Sequence, residues 1–221
     1  MKRIAFYGGS FDPIHNGHLT IARTLLDLFE FDEFWFVPAF HAPHKLDQKM
    51  TSPFCRYAML ALATQDEPQI KISTIELLVP QKPYTIETLT KLKSHYENKA
   101  RIFFVIGMDS WNEIDTWREW QRLLLLTSFV VVTRPNFEIE TAHATPEIRE
   151  KLVDVRGLQK TEIRLKTEPD AIFVTDAVKL DISASKIRQN VRAQSSPNDA
   201  NWRKLVAPPV AEYIEKYKLY S

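Results

Sequence analysis

The sequence predicts an α/β fold: a doubly wound, Rossmann-like, mostly parallel sheet with helices on both faces and a small C-terminal helical part. Three observations carry this. Short apolar runs alternate with amphipathic stretches of helical spacing along the chain. A glycine turn, Gly8-Gly9-Ser10, joins the first apolar run to the first amphipathic stretch. Polar residues that break the pattern gather just after the apolar runs, where a parallel sheet forms its ligand crevice. At 221 residues the chain can build one sizeable core, burying roughly 70% of its unfolded surface. It reads as one unit over residues 1–221, with a helical portion from about 183.

Ile4-Ala5-Phe6-Tyr7 is the first strand, and Ala22, Leu25, Leu26 and Phe29 recur at helical spacing in a helix that starts near Asn16. Phe34 to Val37 is the second strand, stopped by Pro38, and residues 38–50 form a loop carrying His41, His44 and Lys45. Ser52-Pro53 supplies an N-cap and a first helical residue for a helix through Tyr57, Leu60 and Leu62. Ile70 to Ile75 alternates as a strand, and Thr85 caps the next helix. Ile102 to Ile106 and Phe129 to Val132 are further strands, and residues 136–170 read as a polar, peripheral excursion. Ser183 caps a polar helix beginning Ala184-Ser185-Lys186. Pro208 to Tyr220 closes the chain as a helix with Val210, Tyr213, Ile214 and Tyr217 on one face.

Composition excludes several classes. The 29 basic and 28 acidic side chains nearly cancel, which argues against nucleic acid and membrane surfaces as partners. Small ligands are expected instead, with homo-oligomerisation open. The single Cys55 rules out an internal disulfide and suits a reducing compartment. No start segment resembles a signal peptide, and no stretch nears the roughly 20 apolar residues of a membrane span. The expected location is the cytoplasm.

The glycine loop continues as Phe11-Asp12-Pro13-Ile14-His15-Asn16-Gly17-His18. Adjacent glycines let a backbone approach a ligand closely, and the helix start behind them offers unpaired N–H groups to an anion. His15 and His18, three apart at that end, can reach one oxygen-rich group. The loop is neither a dinucleotide turn nor a P-loop, both of which need different spacing. A zinc pair would require a further ligand that the sequence does not offer clearly.

This segment resembles the Gly-Gly-Ser/Thr-Phe-Asp-Pro-x-His-x-Gly-His signature of the nucleotidyltransferase superfamily. With Pro43-His44-Lys45, Glu76 ahead of Tyr84-Thr85, Ile106-Gly107-Met108-Asp109-Ser110, Trp117 and Trp120, Arg134-Pro135 and Ile182-Ser183-Ala184-Ser185-Lys186-Ile187-Arg188, the chain is similar over nearly its full length to bacterial nicotinate-nucleotide adenylyltransferases. Between Glu76 and Tyr84 that family usually carries an Arg, a Gly and a Ser, where this chain has Val79, Gln81 and Pro83.

The resemblance implies transfer of AMP from ATP, with Mg2+, to nicotinate mononucleotide, forming deamido-NAD and pyrophosphate. It assigns Gly8, Gly9, Ser10, Phe11, His15, His18, Gly107, Asp109, Ile182, Ser183, Ser185 and Arg188 to ATP, with His15, His18 and Arg188 catalytic. Asp109 faces ribose hydroxyls or is a magnesium ligand. Lys45 and Arg134 face the acceptor's phosphate, Thr85 or the helix-start amides behind it face its carboxylate, and Tyr84 also belongs to the acceptor site. Trp117 stacks on the pyridine ring or packs in the core beside Trp120. The metal comes with ATP, with no protein ligand set assigned. Rival readings are an enzyme preferring nicotinamide mononucleotide, a phosphopantetheine adenylyltransferase, a class I aminoacyl-tRNA synthetase and a non-catalytic nucleotide sensor.

Overall fold

The computed structural model describes residues 1–40, 50–78, 83–97, 99–133, 139, 141–165, 170–176, 182–193 and 201–221. Strands β1 (Lys2–Gly9), β2 (Glu33–Pro38), β3 (Ile70–Ile72), β4 (Ala100–Gly107), β5 (Ser128–Val132), β6 (Leu152–Asp154) and β7 (Ile172–Thr175) form one sheet. Its order is β3-β2-β1-β4-β5-β7-β6 and every pairing is parallel. The order reverses between β1 and β4, which are in register with Ile4 opposite Ile102. A crevice opens at such a reversal, above the carboxyl ends of the strands.

Alternation along each strand feeds two cores. From β1, Ala5 and Tyr7 point to one face and Ile4 and Phe6 to the other. The first face is covered by α1 (Asn16–Leu28), α2 (Pro53–Thr64), α7 (Lys160–Leu165), α8 (Ala184–Arg192) and α9 (Pro208–Lys216). The second is covered by α3 (Thr85–His95), α4 (Met108–Asn112), α5 (Trp120–Leu126) and α6 (Pro146–Glu150). Burial on both faces explains why the strands read as continuous apolar runs.

Four sequence expectations need correction. Residues 136–170 are not merely peripheral: they contain β6, α6 and α7, and β6 extends the sheet beyond the unexpected strand β7. Strand β3 ends at Ile72 because the Ser73 hydroxyl accepts from the Ile75 N–H at 3.3 Å and turns the backbone. Tyr84, not Thr85, is the N-cap of α3, and the Glu87 carboxylate reaches back to the Tyr84 N–H at 3.4 Å. Helix α9 stops at Lys216, leaving Tyr217 54% exposed instead of on the packed face with Val210 and Ile214. The positions of Ser52, Pro53 and Ser183 at their helix starts are as expected.

Candidate active site

The crevice is built around the turn from β1 into α1. An added Cβ on Gly8 would lie 2.9 Å from the Phe104 ring, and one on Gly9 would lie 2.8 Å from the Phe11 ring. The volume those glycines leave is therefore filled by protein rings. Ser10 and Phe11 continue the loop, and Phe11 adopts φ 48° with its side chain buried. At the mouth of β4, nothing lies within 4 Å of where a Gly107 Cβ would stand, and Asp109 is exposed in the first turn of α4.

His15 caps α1 and His18 lies one turn on, with ring centroids 3.7 Å apart and planes within 21°. The His15 backbone N–H donates to His18 Nδ1 at 3.3 Å. That bond leaves Nδ1 an acceptor, so the neutral His18 ring carries its proton on Nε2, a donor. The ring is braced by Phe11 and Tyr7 at centroid distances of 5.1 and 6.0 Å. Burial pulls His15 down to about 4, and burial together with His15 holds His18 well below the ordinary imidazole range. Two stacked neutral imidazoles thus sit at the helix start.

An unfolded His15 titrates near 6.5, so below that pH the unfolded chain binds more protons and stability falls toward pH 4. Glu76 acts in the opposite sense: burial raises its carboxyl to about 7 despite the bond from the Thr88 hydroxyl at 2.9 Å. The wild-type curve blends the two, and a variant separates them. His15→Asn should gain about 2 kcal/mol relative to wild type between pH 7 and pH 5, measured from urea midpoints at each pH. A pH-independent difference would mean that His15 is not held neutral.

The second motif reaches the same place. Ile182 lies beside Gly17, 3.6 Å from an added Cβ there, so the starts of α1 and α8 adjoin. Arg188 Nη1 donates to the Asp12 carbonyl at 2.7 Å, and Nη2 donates to the Ser185 hydroxyl at 3.3 Å. Ser183 stands at the N-cap of the same helix. On the other side of β4, the Arg118 guanidinium lies 4.6 Å over the Tyr84 ring and 3.4 Å from Glu87. This contact joins the Trp117 turn to the start of α3 at Thr85. Trp117 is partly buried against the second core. Lys45, Arg134, Val79 and Gln81 lie outside the described residues.

Two groups here were not legible as site residues. Arg56 is fully buried and donates to the carbonyls of Ser10, Phe40 and Thr51 at 2.7, 3.1 and 3.0 Å. It ties the glycine loop to the end of β2 and the start of α2. The Asp12 side chain is also buried, accepting from Tyr220 Oη at 2.6 Å and from the Thr51 N–H at 3.1 Å. The available signal for Arg56 was a lone charge among Phe54, Cys55, Tyr57 and Met59.

The cytidylyltransferase-like family model matches residues 6–190, a span that contains α1, the first turns of α8 with Arg188, and the reversal between β1 and β4. The nicotinate-nucleotide adenylyltransferase of Bacillus subtilis (strain 168) is 32% identical over 221 residues, covering all of both chains. A Thermoanaerobacter sp. (strain X514) protein named "Probable nicotinate-nucleotide adenylyltransferase" is 37% identical over 219 residues, covering 99% of this chain and 94% of its own. The chain belongs to the nicotinate-nucleotide adenylyltransferase family. Among solved structures, Plasmodium falciparum nicotinic acid mononucleotide adenylyltransferase complexed with NaAD superposes with a TM-score of 0.74 at 24% identity, covering 100% of this chain and 98% of that one. Its likeness is one of fold. In this adenylyltransferase, no described helix is long and apolar enough to cross a membrane.

Proposed function

We propose that this adenylyltransferase joins ATP and nicotinate mononucleotide at the reversal between β1 and β4, releasing pyrophosphate and forming deamido-NAD, in the cytoplasm and within one unit spanning residues 1–221. The observation that carries this is the approach of Arg188 to the turn between β1 and α1, its Nη1 donating to the Asp12 carbonyl three residues before the stacked His15–His18 pair. An oxygen of the acceptor's phosphate attacks the α-phosphorus of ATP. A new P–O bond forms as the bond to the departing pyrophosphate oxygen breaks, so no covalent enzyme intermediate is needed. Both reactants are anions, and the protein's task is to align them and offset accumulating charge.

In this reading His18 donates from Nε2 to the α-phosphate, His15 lines the same helix start, and Arg188 offers its fork of donors to the leaving pyrophosphate. The glycine loop and Ser10, Phe11, Ile182, Ser183 and Ser185 shape the phosphate channel, and Gly107 and Asp109 border the nucleoside. Tyr84, Thr85 and Trp117 take the pyridine ring and its carboxylate, with Lys45 and Arg134 on the acceptor's phosphate. Magnesium enters with ATP as part of the substrate. Among the described residues no three His, Cys, Asp or Glu stand together, and the Asp12 carboxylate is engaged by Tyr220 and Thr51.

The test is pyrophosphate release from ATP and magnesium with each mononucleotide in parallel. A site that pairs a charged group discriminates strongly against an analogue lacking it. We expect kcat/KM for nicotinate mononucleotide to exceed that for nicotinamide mononucleotide by roughly 10² or more. Comparable values would overturn the assignment of the acceptor, and no release with either would overturn the reaction.

A further inference from the structure

We propose that Tyr220 is a positioning residue for adenylyl transfer: its hydroxyl, brought in from beyond α9, fixes the Asp12 turn on which Arg188 rests. This rests on the adenylyl-transfer reading given above. Tyr220 Oη donates to Asp12 Oδ1 at 2.6 Å across 208 residues of sequence. The other carboxylate oxygen accepts from the Thr51 N–H at 3.1 Å, and the Asp12 carbonyl accepts from Arg188 Nη1 at 2.7 Å. One buried residue therefore receives α8, the approach to α2 and the segment after α9. Neither oxygen of its side chain has freedom to rotate without losing a partner.

The chemistry of the contact is one-directional. Burial and the neighbouring Asp12 carboxylate raise the Tyr220 phenol, so it stays protonated and can only serve Asp12 as a donor. Thr51 and Arg188 act in the lowering direction but do not outweigh burial and Asp12. The backbone supports the same reading, because Tyr220 holds φ 68° and Lys218 φ 49°. A bulky aromatic residue stays in the left-handed region only where its surroundings over-determine it. Here the side chain packs against the first core and its hydroxyl is anchored on Asp12.

Removing the hydroxyl should let the turn and the Arg188 carbonyl anchor move, at a point where small misplacement of a charge-stabilising donor is felt in the rate. Tyr220→Phe is expected to lower kcat about 10-fold at 25 °C with ATP and acceptor saturating, while the acceptor KM stays within twofold. In an Arg188→Ala background the same change should add little, since its effect travels through Arg188. Should Tyr220→Phe fail to fold, Asp12→Asn in both backgrounds gives the equivalent cycle. A purely structural tether would lower the melting temperature and leave kcat unchanged, and that result overturns the proposal. Fully additive losses with Arg188→Ala overturn it too. A wild type that releases no pyrophosphate would instead strike the adenylyl-transfer reading itself.

Discussion

His18→Ala is expected to lower kcat by roughly 10² to 10³ with little change in the KM for ATP, the usual loss for one preorganised donor. The reason lies in the tautomer. Because the His15 N–H occupies His18 Nδ1, the Nε2 proton is fixed in place before any substrate arrives. Negative charge on the α-phosphate builds as pyrophosphate leaves, so a donor aimed there strengthens in the transition state more than in the ground state. His18→Asn keeps an N–H without the ring and should restore part of the loss. The measurement is pyrophosphate release at saturating ATP and magnesium, with circular dichroism to check the fold. Near wild-type turnover in His18→Ala would leave the residue as the packing partner of Phe11 and Tyr7.

Arg56→Met should destabilise the protein by on the order of 3–5 kcal/mol, since it strips three part-buried carbonyls of a charged, fully buried donor at once. For a chain of this length that corresponds to a drop of about 6–20 °C in Tm. Burial lowers the guanidinium's pKa, yet an arginine remains charged at neutral pH. Arg56→Lys should recover only a fraction, because an ammonium on a flexible stem cannot span the carbonyls of Ser10, Phe40 and Thr51 together. ATP binding should weaken in both variants, as the Ser10 carbonyl belongs to the glycine loop. A Tm within about 2 °C of wild type for Arg56→Met, less than the shift from 1 kcal/mol, would show that other contacts hold the loop.

How far the sequence reveals this arrangement depends on whether a residue's neighbours are local. The turn at residues 8–18 announces itself because strand, glycines, histidines and helix are contiguous. The strands β1, β2, β4 and β5 are equally plain, being apolar on both faces. Strand β6 has only three residues and β7 only four, and their identity depends on β5 being there to pair with β7. Short segments set by a distant partner carry no period of their own. The same holds for side chains. Asp12 lies inside the motif, but its partners come from positions 51, 188 and 220. Arg56 serves main-chain carbonyls, and a carbonyl leaves no trace in the sequence of the residue that bears it.

The long separations at Asp12 also order events during synthesis. The carbonyl of Asp12 waits for Arg188, 176 residues later, and its carboxylate for Tyr220, 208 residues later. At about 5–20 residues per second, a ribosome needs roughly 10–40 s to make that intervening chain. Strand β1 likewise lacks its β4 neighbour until residues 100–107 have emerged. A growing chain would therefore carry its histidine pair long before the turn that aims it is closed. A nascent chain that stalls before residue 188 would hold the Asp12 turn with neither of these two late partners in place.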